Sequence, residues 1–357
     1  MSVGGPVRVM IVEDSLVVRE LLKHIVARDP RFRVVAAVAS AEEALTEIPR
    51  LQPDVISMDI RLPGMDGLEA TARIMADHPT PIVVIADAVE DASLRISMNA
   101  LRAGALTVVE KPAGPANASY ERLADTICTQ LYIMSSVPVI RRRNIGGAAD
   151  AWPPPPPPRP VAAGAFERLD FLALAASTGG PPALAKVIAA LPSNFPAPVF
   201  VVQHMGAAFM EGFAKWLGGL SALPVILGED GVTAQPGHVY VAPGDSHMVV
   251  RSSGVIRANR DPPQGGQRPS ANMLFGALAE AAPTRTVAAL LTGMGEDGAQ
   301  GLSRLAQGGA HTIAEHASTA VVNGMPAAAV RRRAARDVLP LDLIGPRIVQ
   351  LAGKGRT

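Results

Sequence analysis

Three side chains that could form a nucleophilic catalytic set each follow a separate apolar segment of the chain. Ser177, His204 and Asp297 lie just beyond three runs of apolar residues. The runs are Phe171–Ala175, Val199–Val202 and Val287–Leu291. If they are parallel strands of one sheet, their carboxyl ends meet at one edge and bring the three side chains together. The histidine would then take the serine proton while the aspartate fixes its tautomer, which predicts a Ser–His–Asp relay.

The turn that carries the serine, within LALAASTGGPPAL, also allows a phosphate-binding interpretation. That turn matches neither G-x-G-x-x-G nor G-x-x-x-x-G-K-[ST], and Lys186 lies well inside the predicted helix. The first carboxylate after Ser177 is Glu211, too far along the chain to bind a ribose. Taken singly, Ser177 is better explained as an N-cap and His204 as a loop histidine. Their shared position with Asp297 at strand ends favours the relay.

The residues after the serine suit an acyl-binding turn. Gly179 and Gly180 are expected to keep bulk away from backbone that a substrate carbonyl must approach. The two prolines that follow suit the first helical turn, where a missing N–H costs little. Free amides near Thr178, at the positive end of the helix dipole, and those of Gly293–Gly295 are predicted to stabilise an oxyanion.

A second group of charged residues follows predicted strands nearer the N-terminus. Glu13 and Asp14 follow the first strand, Asp59 the third and Lys111 the fifth. Three carboxylates at one sheet edge repel one another unless a cation lies among them, and such oxygen ligands favour Mg²⁺. An aspartate beside Mg²⁺ and a lysine can accept a phosphoryl group. Asp14 and Asp59 could instead be simple helix N-caps, but four charges at one edge favour the phosphoryl site.

Short apolar runs alternate with helix-like segments over residues 1–127, which predicts a flavodoxin-like, doubly wound parallel α/β domain. The predicted strands are Val7–Val12, Arg33–Val38, Val55–Met58, Ile82–Ala86 and Thr107–Val109. The predicted helices are Leu16–Ala27, Ala41–Leu51, Gly67–His78, Asp91–Leu101 and Ser119–Met134.

Residues 128–165 read as an interdomain linker, because the six prolines Pro153–Pro158 favour an extended polyproline II spacer. Alternation resumes over residues 166–357 and predicts a second doubly wound, mostly parallel α/β domain, with some antiparallel pairing around residues 225–260. Besides the three strands that precede the relay, the predicted strands are His238–Val241 and Met248–Arg251. The predicted helices are Ala183–Ala190, Ala207–Leu217, Asn272–Ala282 and Gly298–Gln307.

Composition excludes several functional classes. A formal net charge of +1 over 357 residues gives no general attraction to nucleic acid or to a membrane. Aromatic residues make up 4% of the chain, a poor basis for stacking on single strands. The single cysteine, Cys128, fits a reducing compartment, and no signal peptide or membrane span is evident, so a cytoplasmic location is predicted. The α/β alternation also disfavours a DNA-binding output domain.

The first domain resembles the receiver domain of two-component response regulators, through VEDS, ISMDIRLPGMDGLEA, LRAGA and VEKP in that order. The resemblance implies that Asp59 accepts phosphate from a sensor histidine kinase. It also implies that Glu13 and Asp14, with Asp59, bind Mg²⁺, and that Lys111 contacts the phosphoryl group. Two positions depart from the pattern.

One departure is Asp87, which stands where receivers carry the Ser or Thr that donates to the phosphoryl oxygen. A carboxylate offers no such donor and adds repulsion. The other is Val108, which stands where an aromatic residue is usual. Weak or transient phosphorylation of Asp59, strengthened by Asp87→Ser, is therefore expected.

The second domain is similar to the catalytic domain of the chemotaxis protein-glutamate methylesterase family (CheB). The resemblance covers about 190 residues and rests on AASTGGPPAL, VVQHM, VYVAPGDSHM, RPSANMLF, LLTGMGEDGAQG and VVNGMP. It implies a Ser177–His204–Asp297 triad, with Thr178 and Met294 lining the site. It further implies hydrolysis of glutamate methyl esters on chemoreceptors, and often glutamine deamidation. The esterase chemistry needs no cofactor. Ala176 and Asn323 replace the usual glycine and aromatic residue.

Two functional hypotheses follow. The first is an ester hydrolase, regulated by phosphorylation of its receiver, that acts on the cytoplasmic domains of methylated chemoreceptors and meets the membrane only through them. The second is a protein that signals by binding, with the receiver as a docking module or phosphate sink. An intact triad favours the first hypothesis for the whole chain.

Overall fold

The computed structural model describes residues 5–86, 105, 107–112, 120–137 and 169–353. The chain divides into two compact units, Met1–Gly147 and Ala148–Thr357. The predicted helix Asp91–Leu101, Asp87 and the proline run lie outside the described residues. None of the helices described combines the length and apolarity needed to cross a lipid bilayer.

The first unit contains a five-stranded sheet with the order β2-β1-β3-β4-β5, and every pair is parallel. Its strands are β1 Val7–Val12, β2 Phe32–Val38, β3 Val55–Met58, β4 Ile82–Ala86 and β5 Thr107–Glu110. Its described helices are α1 Leu16–Ala27, α2 Ala41–Leu51, α3 Gly67–Asp77 and α4 Tyr120–Met134. The central strand β3 is buried at every residue, as expected for a parallel sheet covered on both faces. The flavodoxin-like prediction is confirmed.

The described helix N-caps of this unit are residues other than Asp14 and Asp59. Ser15 Oγ accepts from Val18 at the start of α1, and Asp66 caps α3. Asp14 and Asp59 therefore do not fill the N-cap positions that the alternative interpretation assigned to them.

Helix α4 crosses residue 127, the end predicted for the first domain, and continues to Met134. Its buried residues on the far side of that boundary include Cys128 and Leu131, which belong to the core of the first unit. The Cys128 Sγ donates to Ile25 O at 3.7 Å, and burial raises the pKa of this thiol to about 11.

The second unit contains a seven-stranded sheet with the order β14-β13-β12-β6-β7-β9-β8, in which all described pairs are parallel. Its strands are β6 Phe171–Ala176, β7 Val199–Gln203, β8 Val225–Leu227, β9 Val239–Val241, β12 Thr286–Leu290, β13 His311–Glu315 and β14 Asp337–Leu339. A separate antiparallel pair consists of β10 His247–Val250 and β11 Ile256–Asn259. The helices are α5 Gly180–Ala189, α6 Met210–Gly218, α7 Ala271–Ala281, α8 Ala299–Gln307, α9 Met325–Arg331 and α10 Leu341–Gly353.

The doubly wound prediction is confirmed. The predicted antiparallel pairing around residues 225–260 is also present, in β10–β11, while β8 runs parallel to β9. Beyond residue 307 no strand or helix is predicted, whereas the structure has β13, α9, β14 and α10. The strand β13 begins with a histidine and ends with a glutamate, and α10 contains Pro346, so neither has a typical pattern.

Candidate active site

Strand register brings the serine and the histidine side by side. Ala176 pairs with Gln203, the last residues of β6 and β7, so Ser177 and His204 are the next residues on two neighbouring parallel strands. The His204 amide donates to Ala176 O at 3.1 Å. On the other flank of β6, the Ser177 amide donates to the carbonyl of Thr292, just beyond β12, at 3.0 Å. The predicted convergence of three strand ends is thus present.

The histidine and the aspartate are in direct contact. His204 Nε2 lies 2.9 Å from Asp297 Oδ2, and both side chains are 7% exposed. The same carboxylate accepts the Ser270 hydroxyl at 2.7 Å and the backbone amides of Ala271 at 2.6 Å and Asn272 at 3.1 Å. These groups form the N-terminus of α7, where the helix dipole favours an anion.

Burial raises the pKa of Asp297, but the hydrogen bonds from His204, Ser270 and Ala271 and the charge of His204 outweigh burial. The pKa of Asp297 consequently lies below its usual value. The aspartate is therefore an anion at neutral pH and can stabilise a positively charged imidazole.

The contact with Asp297 determines which ring nitrogen of His204 is available to the serine. Since Nε2 donates to the carboxylate, Nδ1 is the acceptor, and it is buried without a partner among the described residues. The part of the chain that the structure describes has no hydrogen bond between Ser177 Oγ and His204, and such bonds often tighten only when substrate is bound. The arrangement leaves a basic nitrogen buried at the carboxyl ends of β6 and β7.

The two glycines after Ser177 are explained by packing against the protein. Gly179 has φ of 73°, and a Cβ added there would lie 2.6 Å from Val321 Cβ. A Cβ on Gly180 would lie 2.1 Å from Gln203 Oε1. The space beside these glycines is thus needed for Val321 and Gln203, while clearance for a substrate carbonyl stays a prediction.

The loop after β12 supplies fewer free amides than predicted. Gly293 N donates to Val322 O at 2.9 Å, so this amide is not available to an oxyanion, contrary to the prediction. The amides of Gly179 and Met294 have no acceptor among the residues described, and Met294 is 46% exposed. Asn323 forms a parallel bridge with Gly293, which places this departure from the family pattern beside the loop.

A buried network beneath the serine was not anticipated from the sequence. The Thr292 Oγ1 donates to Thr178 O at 2.9 Å and accepts from Val322 N at 2.9 Å, while Thr292 N donates to Glu315 Oε2 at 2.8 Å. Glu315 is 1% exposed. Burial raises its pKa to about 7, although the hydrogen bond from Thr292 opposes the shift.

The stretch Gly293–Gly298, unlike the Ser177 turn, has the spacing G-x-G-x-x-G and lies between β12 and α8. A dinucleotide site would need free amides at this turn and an exposed acidic residue after the next strand. Here the first amide of the turn, Gly293 N, donates to Val322 O at 2.9 Å, and Glu315, the acidic residue that ends β13, is buried. The stretch therefore lacks an exposed acidic residue to bind a ribose, and a dinucleotide site is not favoured.

The acidic residues of the first unit form one cluster. Ligand oxygens of Glu13, Asp14 and Asp59 lie within 4.8 Å of one another. Lys111 Nζ lies 3.0 Å from Glu13 Oε2 and 2.9 Å from Asp59 Oδ2. Glu13 and Asp59 are buried and Asp14 is exposed, so the cluster is open on the side of Asp14.

Electrostatics in this cluster favour an additional cation. Burial, reinforced by the charge of Asp59, raises the pKa of Glu13 to about 7 despite the nearby Lys111. Burial likewise raises the pKa of Asp59, and Lys111 offsets this only in part. Carboxylates held so close, with one ligand reachable from solvent, fit the oxygen donor set that Mg²⁺ prefers. Asp87 lies outside the described residues, and Val108 is buried in β5 beside Val84 of β4.

An acidic cluster on a flavodoxin-like sheet, joined in one chain to a unit with clustered serine, histidine and aspartate, defines a response regulator with an enzymatic output unit. Residues 9–119 match the family model described as response regulator receiver domain. Residues 172–348 match the model described as CheB methylesterase.

Similar proteins match along almost the whole chain. The protein-glutamate methylesterase/protein-glutamine glutaminase 2 of Paramagnetospirillum magneticum is 48% identical over 349 residues, covering 97% of this chain and 97% of that protein. A relative of the same description, numbered 4, from Geobacter metallireducens is 41% identical over 352 residues, covering 97% of this chain and 99% of that protein. The crystal structure of the Thermotoga maritima CheB methylesterase catalytic domain is 36% identical with a TM-score of 0.50, covering 51% of this chain and 98% of that one. The chain belongs to the CheB methylesterase family.

The packing of Gly179 predicts a specific loss of stability. Gly179→Ala combines a left-handed backbone with a clash against Val321 and is expected to lower the free energy of unfolding by about 2–4 kcal/mol. Gly231→Ala is the matched control, since Gly231 has φ of 81° and nothing within 4 Å of an added Cβ. The free energy of unfolding of Gly231→Ala, measured by urea denaturation, should fall by only about 1–2 kcal/mol. Equal losses in the two variants, or no recovery with added Val321→Gly, which removes the clashing Cβ, would argue against the clash.

The raised pKa of Glu315 predicts a pH-dependent stability. Between pH 4.5 and about pH 7, Glu315 keeps its proton in the folded protein but has released it in the unfolded chain. The contribution of Glu315 to the free energy of unfolding therefore falls as the pH rises through that range. Glu315→Gln should remove this pH dependence. Its free energy of unfolding should exceed that of the wild type by on the order of 1–3 kcal/mol between pH 5 and pH 8. Thermal denaturation across this range measures the difference, with Glu280→Gln, on an exposed side chain, as control. A stability difference that does not change with pH would contradict the prediction.

Proposed function

We propose that this chain hydrolyses methyl esters on glutamate side chains in the cytoplasmic domains of chemoreceptors, and deamidates glutamines there. The observation that carries the proposal is the His204–Asp297 pair, fixed at the N-terminus of α7 beside the strand end that bears Ser177. The names of the full-length relatives give the substrate class.

In the proposed mechanism, Ser177 Oγ attacks the ester carbonyl while its proton passes to His204 Nδ1. The C–O bond to the methoxy group then breaks, and the proton on His204 moves to the leaving oxygen, so methanol departs and an acyl-enzyme remains. Water attacks the acyl group, giving up a proton to the same nitrogen, and glutamate is released as Ser177 recovers its proton. With a glutamine substrate the leaving group is ammonia.

Charge that develops during these steps needs two kinds of partner. The anionic Asp297 stabilises the imidazolium through Nε2. The carbonyl oxygen becomes an oxyanion, for which the amides of Gly179 and Met294 are the proposed donors, and Thr178 is proposed to line the site. Met294, exposed at the rim, is proposed to contact the substrate chain.

The first unit is proposed to regulate the enzyme by phosphorylation of Asp59, with a sensor histidine kinase as donor. Glu13, Asp14 and Asp59 would hold Mg²⁺, which neutralises charge on the incoming phosphoryl group. Lys111, already within 3.0 Å of both buried carboxylates, would bind a phosphoryl oxygen. The interpretation as a purely binding or phosphate-sink protein is not favoured, because the relatives are named as enzymes.

The location that follows from this function is the cytoplasm, with the membrane reached only through receptors. Nucleic acid has no part in the proposal. Asp87 is proposed to shorten the lifetime of the phosphorylated state, because its carboxylate would repel the phosphoryl group. The three proposed segments are the receiver, the proline-rich linker and the catalytic domain that begins near residue 166.

Ser177→Ala tests the enzymatic proposal. Methanol release from methylated receptor membranes should fall by at least about 10³-fold, because the nucleophile of the relay is lost. Ser252→Ala, in an exposed turn of the same unit, should retain the wild-type rate. A Ser177→Ala variant that releases methanol as fast as the wild type would disprove the proposed mechanism.

Asp59→Asn tests the regulatory proposal. An amide cannot form the acyl phosphate, so incubation with acetyl phosphate and Mg²⁺ should leave the variant unphosphorylated and its methanol release unstimulated. Asp54→Asn, at the exposed residue that precedes β3, is the control and should respond as the wild type does. Stimulation of the Asp59→Asn variant by the phosphodonor would contradict the assignment of Asp59.

A further inference from the structure

Gln203 makes contacts that link the two reacting residues of the proposed mechanism. It is the last residue of β7, and its side chain is 1% exposed. Its Nε2 donates to Ser177 O at 2.8 Å and to His204 O at 2.9 Å. A single buried amide group therefore holds the carbonyl of the nucleophile and the carbonyl of the base.

These contacts come where the backbone ladder between β6 and β7 ends. The last described backbone bond between the two strand ends runs from His204 N to Ala176 O. Ser177 N instead turns to Thr292 O, and Gly180 N donates to Ser177 O. The side-chain amide of Gln203 thus supplies the next connection between two chain segments that are leaving the sheet.

The orientation of the amide follows from its partners. Both acceptors are carbonyl oxygens, so the group that faces them must be the NH₂, with both hydrogens in use. The Oε1 then lies toward Gly180 and has no donor among the residues the structure describes. A buried acceptor without a donor costs free energy. The side chain nevertheless keeps the orientation in which its NH₂ donates two hydrogen bonds and its Oε1 accepts none.

We infer that Gln203 is a positioning residue that fixes the separation of Ser177 and His204 by bridging their carbonyl groups. The inference rests on the proposed roles of those two residues. A misplacement of about 1 Å between reacting groups can cost a factor of about 10² in rate. Loss of the bridge is therefore expected to lower kcat and to leave KM almost unchanged, because Gln203 is too buried to contact substrate.

Gln203→Glu provides the decisive variant, since it keeps the shape of the side chain. Its ionised carboxylate would face two carbonyl oxygens, and only the protonated form can donate to one of them. The kcat for methanol release should fall by about 10-fold or more, and the loss should deepen from pH 5.5 to pH 8.5 relative to the wild type. The neighbouring titratable groups, His204, Asp297 and Glu315, are common to both proteins, so the ratio of the two profiles isolates the introduced carboxyl.

Gln203→Met is the neutral comparison and Gln307→Glu, on the exposed end of α8, is the matched surface control. Gln203→Met should lower kcat by a similar factor with no added pH dependence, and Gln307→Glu should match the wild type. Rates are normalised to the folded fraction from near-ultraviolet circular dichroism, which separates instability from misplacement; if Gln203→Glu does not fold, the kcat of Gln203→Met decides.

The outcomes distinguish the inference from the proposed function. Variants of Gln203 that retain the wild-type kcat per folded molecule overturn the positioning role and leave the proposed function intact. An equal loss in Gln203→Glu at every pH would show that the donated bonds are not what matters, and also overturns it. A wild type that releases no methanol overturns the proposed function, and the inference with it.

Discussion

The parallel register of β6 between β7 and β12 is the constraint on which the catalytic unit depends. Side chains alternate between the faces of a strand, so a shift of one residue would send every neighbour to the opposite face. Ala176 opposite Gln203 and Ala175 opposite Leu290 set this register. All six residues of β6 are buried, as expected for a central strand covered on both faces. This strand pairing therefore determines where the loops that carry the reactive groups lie.

Asp297 binds the N-terminus of α7 as well as His204. One carboxylate accepts from the ring of His204 and from the first groups of α7, so it joins a loop after β12 to a helix and to the end of β7. A helix N-terminus and an imidazole both favour a negative charge at that point. The pKa of Asp297 is held low by the protein itself, and the base therefore meets a permanent anion.

Sequence patterns revealed the strand ends and the residue types at them, because apolar runs followed by polar residues are local features. They predicted both sheets and placed Ser177, His204 and Asp297 on converging loops. They could not show that His204 donates to Asp297 through Nε2, or that Gly293 N donates to Val322 O, because these hydrogen bonds join loops that are distant in the sequence. The local pattern does not single out Glu315 for the same reason, because β13 has no typical strand pattern and the partner of Glu315, Thr292, lies in the loop after β12.

The buried thiol of Cys128 has a practical consequence for labelling. It is the sole cysteine of the chain, it is 7% exposed, and burial raises its pKa to about 11. Reagents that modify cysteine react with the thiolate, which is scarce at this position near neutral pH. The native cysteine is therefore expected to remain unlabelled when a spectroscopic probe is attached through a thiol. A cysteine introduced on any exposed surface will carry the fluorophore or spin label alone, without first removing the natural one.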